Sequence, residues 1–302
     1  MHGMTEPIAY SNGQFIPATQ LVVQPQDMGF MWGVTVAEQL RTFRGELFEP
    51  ELHRDRLAES LCIVGIDSID VTQLFAAAGD VVANNHGLLD EGHDLGVTIY
   101  CTPGLSRTYA PDGKRSPHVG VHSYPLPFSL WAEKYDAGQH CEVVSVPQVD
   151  AACWPRQLKC RSRMHYYLAD SEARETHAAA RAILLDAEGN VNEASTANVL
   201  VYFDDEGLVS PLKETILPGI SLEVVEQIAG ELDCNLTFRP IHADELQKAD
   251  EILLTSTPFC LLPVSRLGSR EILQRDCYHW LMRAWSKRVG LDIPEQARRF
   301  AR

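Results

Sequence analysis

The sequence has few basic residues for its length, and this shortage limits the partners that it can bind. Its 302 residues include 26 Lys and Arg but 41 Asp and Glu, which gives a formal net charge of −15 at pH 7. Affinity for the phosphate backbone of a nucleic acid depends on clustered Lys and Arg. The charge balance therefore argues against a nucleic-acid partner.

Long apolar runs and paired cysteines are also missing. No run of about 18 uncharged apolar residues occurs, and residues 1–10 lack the apolar stretch of a signal peptide. The eight cysteines include no Cys-x-x-Cys pair, so the sequence indicates neither a zinc site nor a disulfide framework. We therefore expect a cytoplasmic protein with free thiols, without a metal site and without a membrane partner.

The composition is that of an ordinary folded enzyme, with 45% hydrophobic and 22% charged residues. The chain is longer than one average domain. From about Ser123 to Gly138, two prolines interrupt the regular periodicity, as expected of a connector between lobes. The sequence predicts an N-terminal lobe over residues 1–124, a connector over 125–138 and a C-terminal lobe over 139–302.

The N-terminal part combines strands with helices. Ile8–Tyr10 and Gln14–Ile16 flank an Asn-Gly turn, which predicts a β-hairpin. Near-helical spacing of apolar residues predicts helices from Glu51 to Gly65 and over Val71–Asn84, and Val97–Cys101 is typical of a strand.

The C-terminal part shows the same mixture. Its patterns predict a strand at Glu142–Val146, a helix at Ser162–His177, a hairpin with arms Ala182–Asp186 and Val191–Phe203, and a helix just after Gly219–Ile220–Ser221. Together the two parts indicate an α+β or α/β fold class.

A basic cluster stands out in this acidic chain. It has four cations within eight positions, Arg156, Lys159, Arg161 and Arg163, and it suggests a small anionic ligand. Lys159 lies just before a predicted helix. Schiff-base chemistry on a lysine needs an amine whose pKa is lowered by desolvation or by nearby cations, together with a cofactor that acts as an electron sink. Arg161 and Arg163 could supply that positive field.

Other residues could bind such a cofactor. Glu193, on the predicted hairpin, is a candidate partner for a protonated pyridine nitrogen. Gly219–Ile220–Ser221 begins a helix whose N-terminal N–H groups suit a phosphate. Arg56 could add a bidentate contact, and the hydroxyl cluster Thr255–Thr257 follows an apolar strand, where ligand-binding loops are common.

Taken together, these motifs resemble the class IV (fold type IV) aminotransferase family, which includes branched-chain aminotransferases, D-amino-acid aminotransferases and aminodeoxychorismate lyases. Met28–Glu38 is similar to the family's opening strand region, and the resemblance spans about residues 8–275. Five motifs occur in the family's order: His53-x-x-Arg56-Leu57, Lys159 before a helix, Asp186-x-x-Gly189-x-Val191-x-Glu193-x-x-x-x-Asn198, Leu217-Pro218-Gly219-Ile220-Ser221, and Asp250 to Thr257 followed by Pro263-Val264.

The resemblance implies a two-lobed fold type IV enzyme, with the fold of D-amino-acid aminotransferases and with pyridoxal 5′-phosphate (PLP) in the interdomain cleft. It implies that Lys159 holds the cofactor as a Schiff base and shuttles the proton, and that Glu193 pairs with the pyridine nitrogen. The implied phosphate ligands are Arg56, Ile220, Ser221, Ser256 and Thr257. Two-lobed subunits that share active sites favour a homodimer.

The chain departs from the family's pattern after the lysine. Branched-chain enzymes usually carry Asn-Tyr four and five positions after it, and here those positions are Arg163 and Met164. An arginine there is similar to the lyase members. Tyr166, further along the helix, could replace the lost hydroxyl, so Arg163 and Tyr166 are candidate substrate residues.

A second departure concerns the substrate carboxylate. D-amino-acid enzymes bind it with an Arg-x-His stretch, and the matching stretch here is Thr102–Leu105. Arg41 and Arg107 are the other cations of the N-terminal lobe that could meet a substrate carboxylate.

We therefore expect an aminotransferase that moves an amino group between an amino acid, branched-chain or otherwise hydrophobic, and a 2-oxo acid. The apolar residues Phe30, Met31 and Trp32 favour the hydrophobic substrate. The main alternative is a PLP-dependent 4-amino-4-deoxychorismate lyase. A D-amino-acid aminotransferase and a non-catalytic PLP-binding protein are lesser alternatives.

Overall fold

The computed structural model describes residues 6–110 and 116–301. These residues form two compact units. The first contains the described residues up to Leu126 together with Gln157–Ser162, and the second contains Pro127–Arg156 together with the described residues from Arg163 onward. The short segment Gln157–Ser162, which includes Lys159, therefore packs with the first unit. The functional lobes 1–124 and 139–302 with their connector stay a prediction.

The first unit is built on a six-stranded antiparallel sheet. Its strands lie in the order β2-β1-β6-β5-β3-β4. They are β1 (Ile8–Ser11), β2 (Gln14–Pro17), β3 (Val36–Phe43), β4 (Glu46–Leu47), β5 (Leu95–Thr102) and β6 (His118–Pro125). The predicted hairpin is confirmed: β1 pairs with β2, and Asn12 and Gly13 have φ of 47° and 92°, as the turn of a tight hairpin requires.

Helices cover one face of this sheet. A short helix, α1 (Met28–Met31), precedes β3, and the predicted helices are confirmed as α2 (Pro50–Ile63) and α3 (Val71–His86). Because side chains alternate along a strand, one face of β5 joins the helices in an apolar core. Its principal members are Leu57, Leu61, Leu74, Val81, Leu95, Val97 and Ile99.

The second unit contains a nine-stranded mixed sheet, in the order β12-β11-β10-β13-β14-β7-β8-β9 with β15 beside β14. Strand β9 pairs with β10 as well as β8, so six of the strands close into a ring. The strands are β7 (Gln139–Val143), β8 (Arg181–Leu185), β9 (Val191–Ala194), β10 (Ala197–Phe203), β11 (Gly207–Ser210), β12 (Leu236–Phe238), β13 (Glu251–Ser256), β14 (Cys260–Leu267) and β15 (Arg270–Glu271).

Two strand predictions differ from the structure here. The strand predicted at Glu142–Val146 begins earlier, as β7 at Gln139. The long arm predicted over Val191–Phe203 is divided into β9 and β10 by a turn in which Thr196 has φ of 62°. The segment around this turn, Ala194–Ser195–Thr196–Ala197, contains no glycine or proline, so no strong turn residue marks it in the sequence.

The helices of the second unit include the two that were predicted. They are α4 (Lys134–Ala137), α5 (Met164–Thr176), α6 (Ile220–Glu231), α7 (Asp276–Val289) and α8 (Ile293–Arg299), of which α5 and α6 confirm the predictions. Within residues 6–110 and 116–301, no helix has the length and apolarity needed to cross a membrane.

Leu57 tests the core of the first unit because its side chain is fully buried. We expect Leu57→Ala to lower the free energy of unfolding by about 2–5 kcal/mol, through lost apolar contact and the cavity left behind. Chemical denaturation followed by circular dichroism measures this. The control is Ile63→Ala on the same helix, where the side chain is 37% exposed and we expect a smaller loss. Equal losses would contradict the described packing.

Candidate active site

The backbone around Lys159 is bound on two sides within the first unit. Its N–H donates to the Ser60 hydroxyl of α2 at 3.1 Å, and its carbonyl accepts from the Ala37 N–H of β3 at 3.1 Å. The N–H of Arg161 donates to the Thr35 carbonyl at 2.8 Å. These bonds fix the main chain from which the half-buried Lys159 side chain extends, so the lysine lies on a rigid support.

A buried ionic cluster lies between α2 and β3. Both oxygens of Glu38 accept from the Arg56 guanidinium, with Nε to Oε1 at 2.8 Å and Nη2 to Oε2 at 2.7 Å. His53 Nδ1 lies 2.7 Å from Glu38 Oε2. His53 and Arg56 are three positions apart on α2 and therefore face the same strand. The motif His53-x-x-Arg56 thus binds one carboxylate.

Charge and burial act against each other in this cluster. Burial alone would raise the pKa of Glu38, but the Arg56 and His53 contacts outweigh it and hold that pKa well below its usual range. For His53, burial lowers the pKa, Glu38 raises it, and the Arg56 and Lys159 charges lower it again, with a net decrease. The Lys159 ammonium is therefore close enough to act on this cluster.

The two other cations predicted in the first unit are placed differently. Arg41 is fully buried, its guanidinium lies 3.9 Å from the centre of the Phe43 ring, and its Nε donates to the Thr42 carbonyl at 3.2 Å. Arg107 is exposed in the loop after β5. Arg41 thus packs inside the unit, and its contact with a substrate carboxylate stays a prediction, as does that of Arg107.

In the second unit, Glu193 on β9 is buried and surrounded by donors. Its Oε2 accepts from the Tyr166 hydroxyl at 2.6 Å and from Gln148 Nε2 at 3.5 Å. Its Oε1 accepts from the N–H of Leu217, in the loop that leads to α6. Glu193 is only 4% exposed, so these protein donors, and not water, surround its carboxylate.

The start of α6 suits an anion. The helix begins at Ile220 after Gly219, which provides no side-chain cap, and the N–H groups of a first helical turn have no intrahelical partners. Ile220 and Ser221 are both buried. A Cβ on Gly219 would lie 2.0 Å from Asn198 Oδ1, so only glycine fits beside β10. Asn198 also donates to the Leu217 carbonyl at 3.0 Å.

The sheet register brings these residues together. Asn198 of β10 pairs with Glu193 on one side and with Thr255 of β13 on the other. Ser256 and Thr257 follow Thr255, and the Ser256 hydroxyl donates to the Thr196 carbonyl at 2.9 Å. The predicted carboxylate, helix N-terminus and hydroxyl cluster therefore lie at one end of the same sheet.

The residues that follow the lysine reach this sheet through α5. Arg163 is the N-cap residue of α5, and Tyr166 lies in its first turn. Burial, followed by the Glu193 charge and hydrogen bond, raises the pKa of Tyr166 well above its usual value. The phenol is therefore a neutral donor to Glu193. Substrate contacts of Arg163 and Tyr166 stay predictions.

Sequence reasoning missed several partners. Glu38 entered the sequence analysis only as the end of Met28–Glu38, the segment similar to the family's opening strand region, although a carboxylate in a buried strand signals a cation opposite it. Ser60 and Gln148 gave no signal, because an isolated hydroxyl or amide is unremarkable in sequence. Leu217 lies within a sequence motif, but its contact with Glu193 is made by the backbone N–H, which is the same for most residues.

Glu38→Gln tests the ionic cluster. Removing one partner of a buried pair leaves the Arg56 charge uncompensated, so we expect a loss of about 3–5 kcal/mol in stability near neutral pH. Because the folded pKa of Glu38 is depressed, its stabilisation is fully present above the ordinary value of 4.5 and is lost progressively as the pH falls from there to the depressed folded pKa. Melting temperatures of both proteins should therefore converge in acid.

The control for this variant is Glu59→Gln, an exposed carboxylate on the same helix, which we expect to leave the melting temperature nearly unchanged. A difference between wild type and Glu38→Gln that does not shrink in acid would contradict the assignment.

Comparisons with known proteins agree on the family. The family model of Amino-transferase class IV matches residues 35–267. The D-alanine aminotransferase of Bacillus licheniformis is 26% identical over 263 residues, which cover 86% of this chain and 88% of that protein.

Solved structures show the same fold. The branched-chain aminotransferase of Thermoproteus uzoniensis, solved with norvaline, has a TM-score of 0.82 at 24% identity and is matched over 94% of this chain and 95% of its own. The Escherichia coli branched-chain amino acid aminotransferase has a TM-score of 0.83 at 22% identity, over 95% and 94% of the chains. The chain belongs to the class IV aminotransferases, which are PLP-dependent transaminases of fold type IV.

Proposed function

We propose that the protein transfers an amino group between an amino acid with a branched-chain or other hydrophobic side chain and a 2-oxo acid, with PLP as its cofactor. One observation carries this proposal. The Glu193 carboxylate is hydrogen-bonded to the loop that opens α6, through Leu217. A partner for a pyridine nitrogen and a cradle for a phosphate are thereby held at a fixed separation, as a rigid ring with a phosphate group requires.

The residues present fit PLP. A buried carboxylate can keep a pyridine nitrogen protonated, because a nearby negative charge favours the cationic form. The uncapped start of α6 offers backbone donors and the positive end of a helix dipole to a phosphate. Gly219, which approaches Asn198 too closely for any side chain, keeps this cradle open.

When bound, PLP supplies an electron sink for the charge that develops at the substrate's Cα. Lys159 Nζ would hold the cofactor covalently and then carry the proton to and from that carbon. Glu193 would hold the proton on the pyridine nitrogen. The groups that we propose for the phosphate are the Arg56 guanidinium, the Ile220 and Ser221 backbone amides, and the Ser221, Ser256 and Thr257 hydroxyls.

The choice of a hydrophobic substrate rests on two observations. Phe30, Met31 and Trp32 form an apolar segment around α1 whose side chains are 73%, 47% and 72% exposed. Two solved structures with the same fold are branched-chain aminotransferases. A D-amino-acid substrate is the second candidate, because a D-alanine aminotransferase is among the relatives. We also propose that the protein is cytoplasmic and that it forms a homodimer. Light scattering can test the homodimer.

Lys159→Ala should abolish transamination, with a loss of at least about 10²-fold because the variant lacks both the covalent attachment and the proton carrier. The assay measures glutamate formed from leucine and 2-oxoglutarate. A second readout is borohydride reduction of the PLP-loaded protein followed by mass spectrometry, which should find the cofactor on Lys159. Lys248→Ala, an exposed lysine, is the control. Labelling of another lysine would contradict the proposal.

A panel of amino donors tests the substrate class. We expect leucine, isoleucine and valine to be better donors than D-alanine or aspartate, because the apolar segment around α1 favours apolar side chains. Initial rates of glutamate formation from 2-oxoglutarate measure this. D-alanine as the best donor would support the second candidate. Pyruvate release from aminodeoxychorismate without glutamate formation would overturn the aminotransferase proposal.

A further inference from the structure

Tyr166 donates a hydrogen bond to Glu193, a residue far from it in the sequence. Its hydroxyl lies 2.6 Å from Glu193 Oε2, although the two residues are on different elements, α5 and β9. Gln148 Nε2 lies 3.4 Å from the same hydroxyl and 3.5 Å from the same carboxylate oxygen. Tyr166 is therefore the closest side-chain donor to this carboxylate among the described residues.

We propose that Tyr166 is a positioning residue, which orients the Glu193 carboxylate so that it can receive the pyridine N–H of the cofactor. This inference rests on the proposed function and goes beyond the substrate contact expected from the sequence. It gives the hydroxyl a role through Glu193, and it requires no contact between Tyr166 and the substrate.

The number of lone pairs on the carboxylate supports this role. A carboxylate has about four acceptor positions, two on each oxygen. Leu217 N–H uses one on Oε1, and Tyr166 and Gln148 approach Oε2. One position on Oε1 is left for a further donor, and rotating the carboxylate would break bonds at both oxygens. The carboxylate thus has one defined direction in which to accept a pyridine N–H.

Tyr166 is itself held in place. Its ring packs against an apolar cluster of the second unit that includes Val144, Ala169 and Ala173. The elevated pKa of Tyr166 keeps the phenol protonated over the range in which enzymes work, so it donates and does not accept from a carboxylate. A packed ring with a fixed proton is a rigid donor, because little side-chain freedom remains to be lost when it binds Glu193.

The chain offers a matched control next to this residue. Tyr167 has the same side chain, lies on the same helix, and is 68% exposed. Tyr166→Phe and Tyr167→Phe each remove one hydroxyl and keep the ring. Any general effect of losing a tyrosine hydroxyl from α5 should therefore appear in both variants, whereas an effect on Glu193 should appear only in the first.

The experiment measures PLP binding and the absorption spectrum of bound PLP in wild type and in both variants, after circular dichroism has shown that each is folded. We expect Tyr166→Phe to weaken PLP binding about tenfold, the lower end of what a hydrogen bond to a charged group contributes. We also expect the absorption maximum of bound PLP to shift, since the spectrum depends on protonation of the pyridine nitrogen. Tyr167→Phe should match wild type in both measurements.

A double-mutant cycle shows whether the effect passes through Glu193. In a Glu193→Gln background, Tyr166→Phe should have little further effect on binding or spectrum, because the group that it positions is gone. Full additivity would overturn the proposal. So would a crystal structure of the wild-type protein with PLP in which the Tyr166 hydroxyl has left Glu193, and this test does not depend on the folding of a variant.

Two outcomes distinguish the positioning role of Tyr166 from the proposed function. If wild type binds PLP and forms glutamate while Tyr166→Phe behaves identically to it, the positioning role is wrong and the proposed function stands. If wild type takes up no PLP, the proposed function fails and the positioning role fails with it.

Discussion

A carboxylate that leaves water must be surrounded by donors, and two of the buried carboxylates, one in each unit, connect the elements that carry the candidate site residues. Glu38 in the first unit binds Arg56 and His53, and thereby fixes α2 against β3. Glu193 in the second unit binds Tyr166 and the loop before α6. Hydrogen-bond donors stabilise the negative charge of both carboxylates, but the donors differ. One is satisfied by a charged guanidinium and the other by neutral O–H and N–H groups.

The charge of these donors affects which carboxylate can pair with a further cation. The Arg56 guanidinium compensates the charge of Glu38 through Nε and Nη2, and Glu38 therefore has a structural task. Among the described residues, the donors hydrogen-bonded to Glu193 are Tyr166, Gln148 and the Leu217 N–H, and all three are neutral. A cationic ring nitrogen would add a positive charge beside Glu193, so the proposed pyridine ligand fits this carboxylate better than Glu38, which already pairs with Arg56.

Much of the fold could be predicted from the sequence. The hairpin at Asn12–Gly13 and the helices α2, α3, α5 and α6 follow from turn chemistry and from apolar periodicity, which are local properties. The family also followed from the order of its motifs, and the comparisons confirm it. The turn at Thr196 was not predicted, because a residue other than glycine in the left-handed region cannot be recognised from its type.

The site could be predicted only in part, for a physical reason. Lys159, Glu193 and Arg56, which we propose for the cofactor, carry their chemistry in the side chain, so a sequence can suggest them as candidates. The main-chain bonds that hold Lys159 to Ser60 and Ala37, and those that hold Glu193 to Leu217, depend on backbone geometry and on contacts between residues far apart in the chain. A single sequence contains no local signal for them.

The ring of six strands also fixes the side of the sheet to which the Glu193 side chain points. Strand β9 has four residues and is paired on both sides, with β8 and with β10. Slipping a strand by one residue turns each side chain to the opposite face. For β9 such a slip would disrupt two ladders at once. A strand too short to hold its own register is thereby locked from both flanks, and the carboxylate keeps to one side of the sheet.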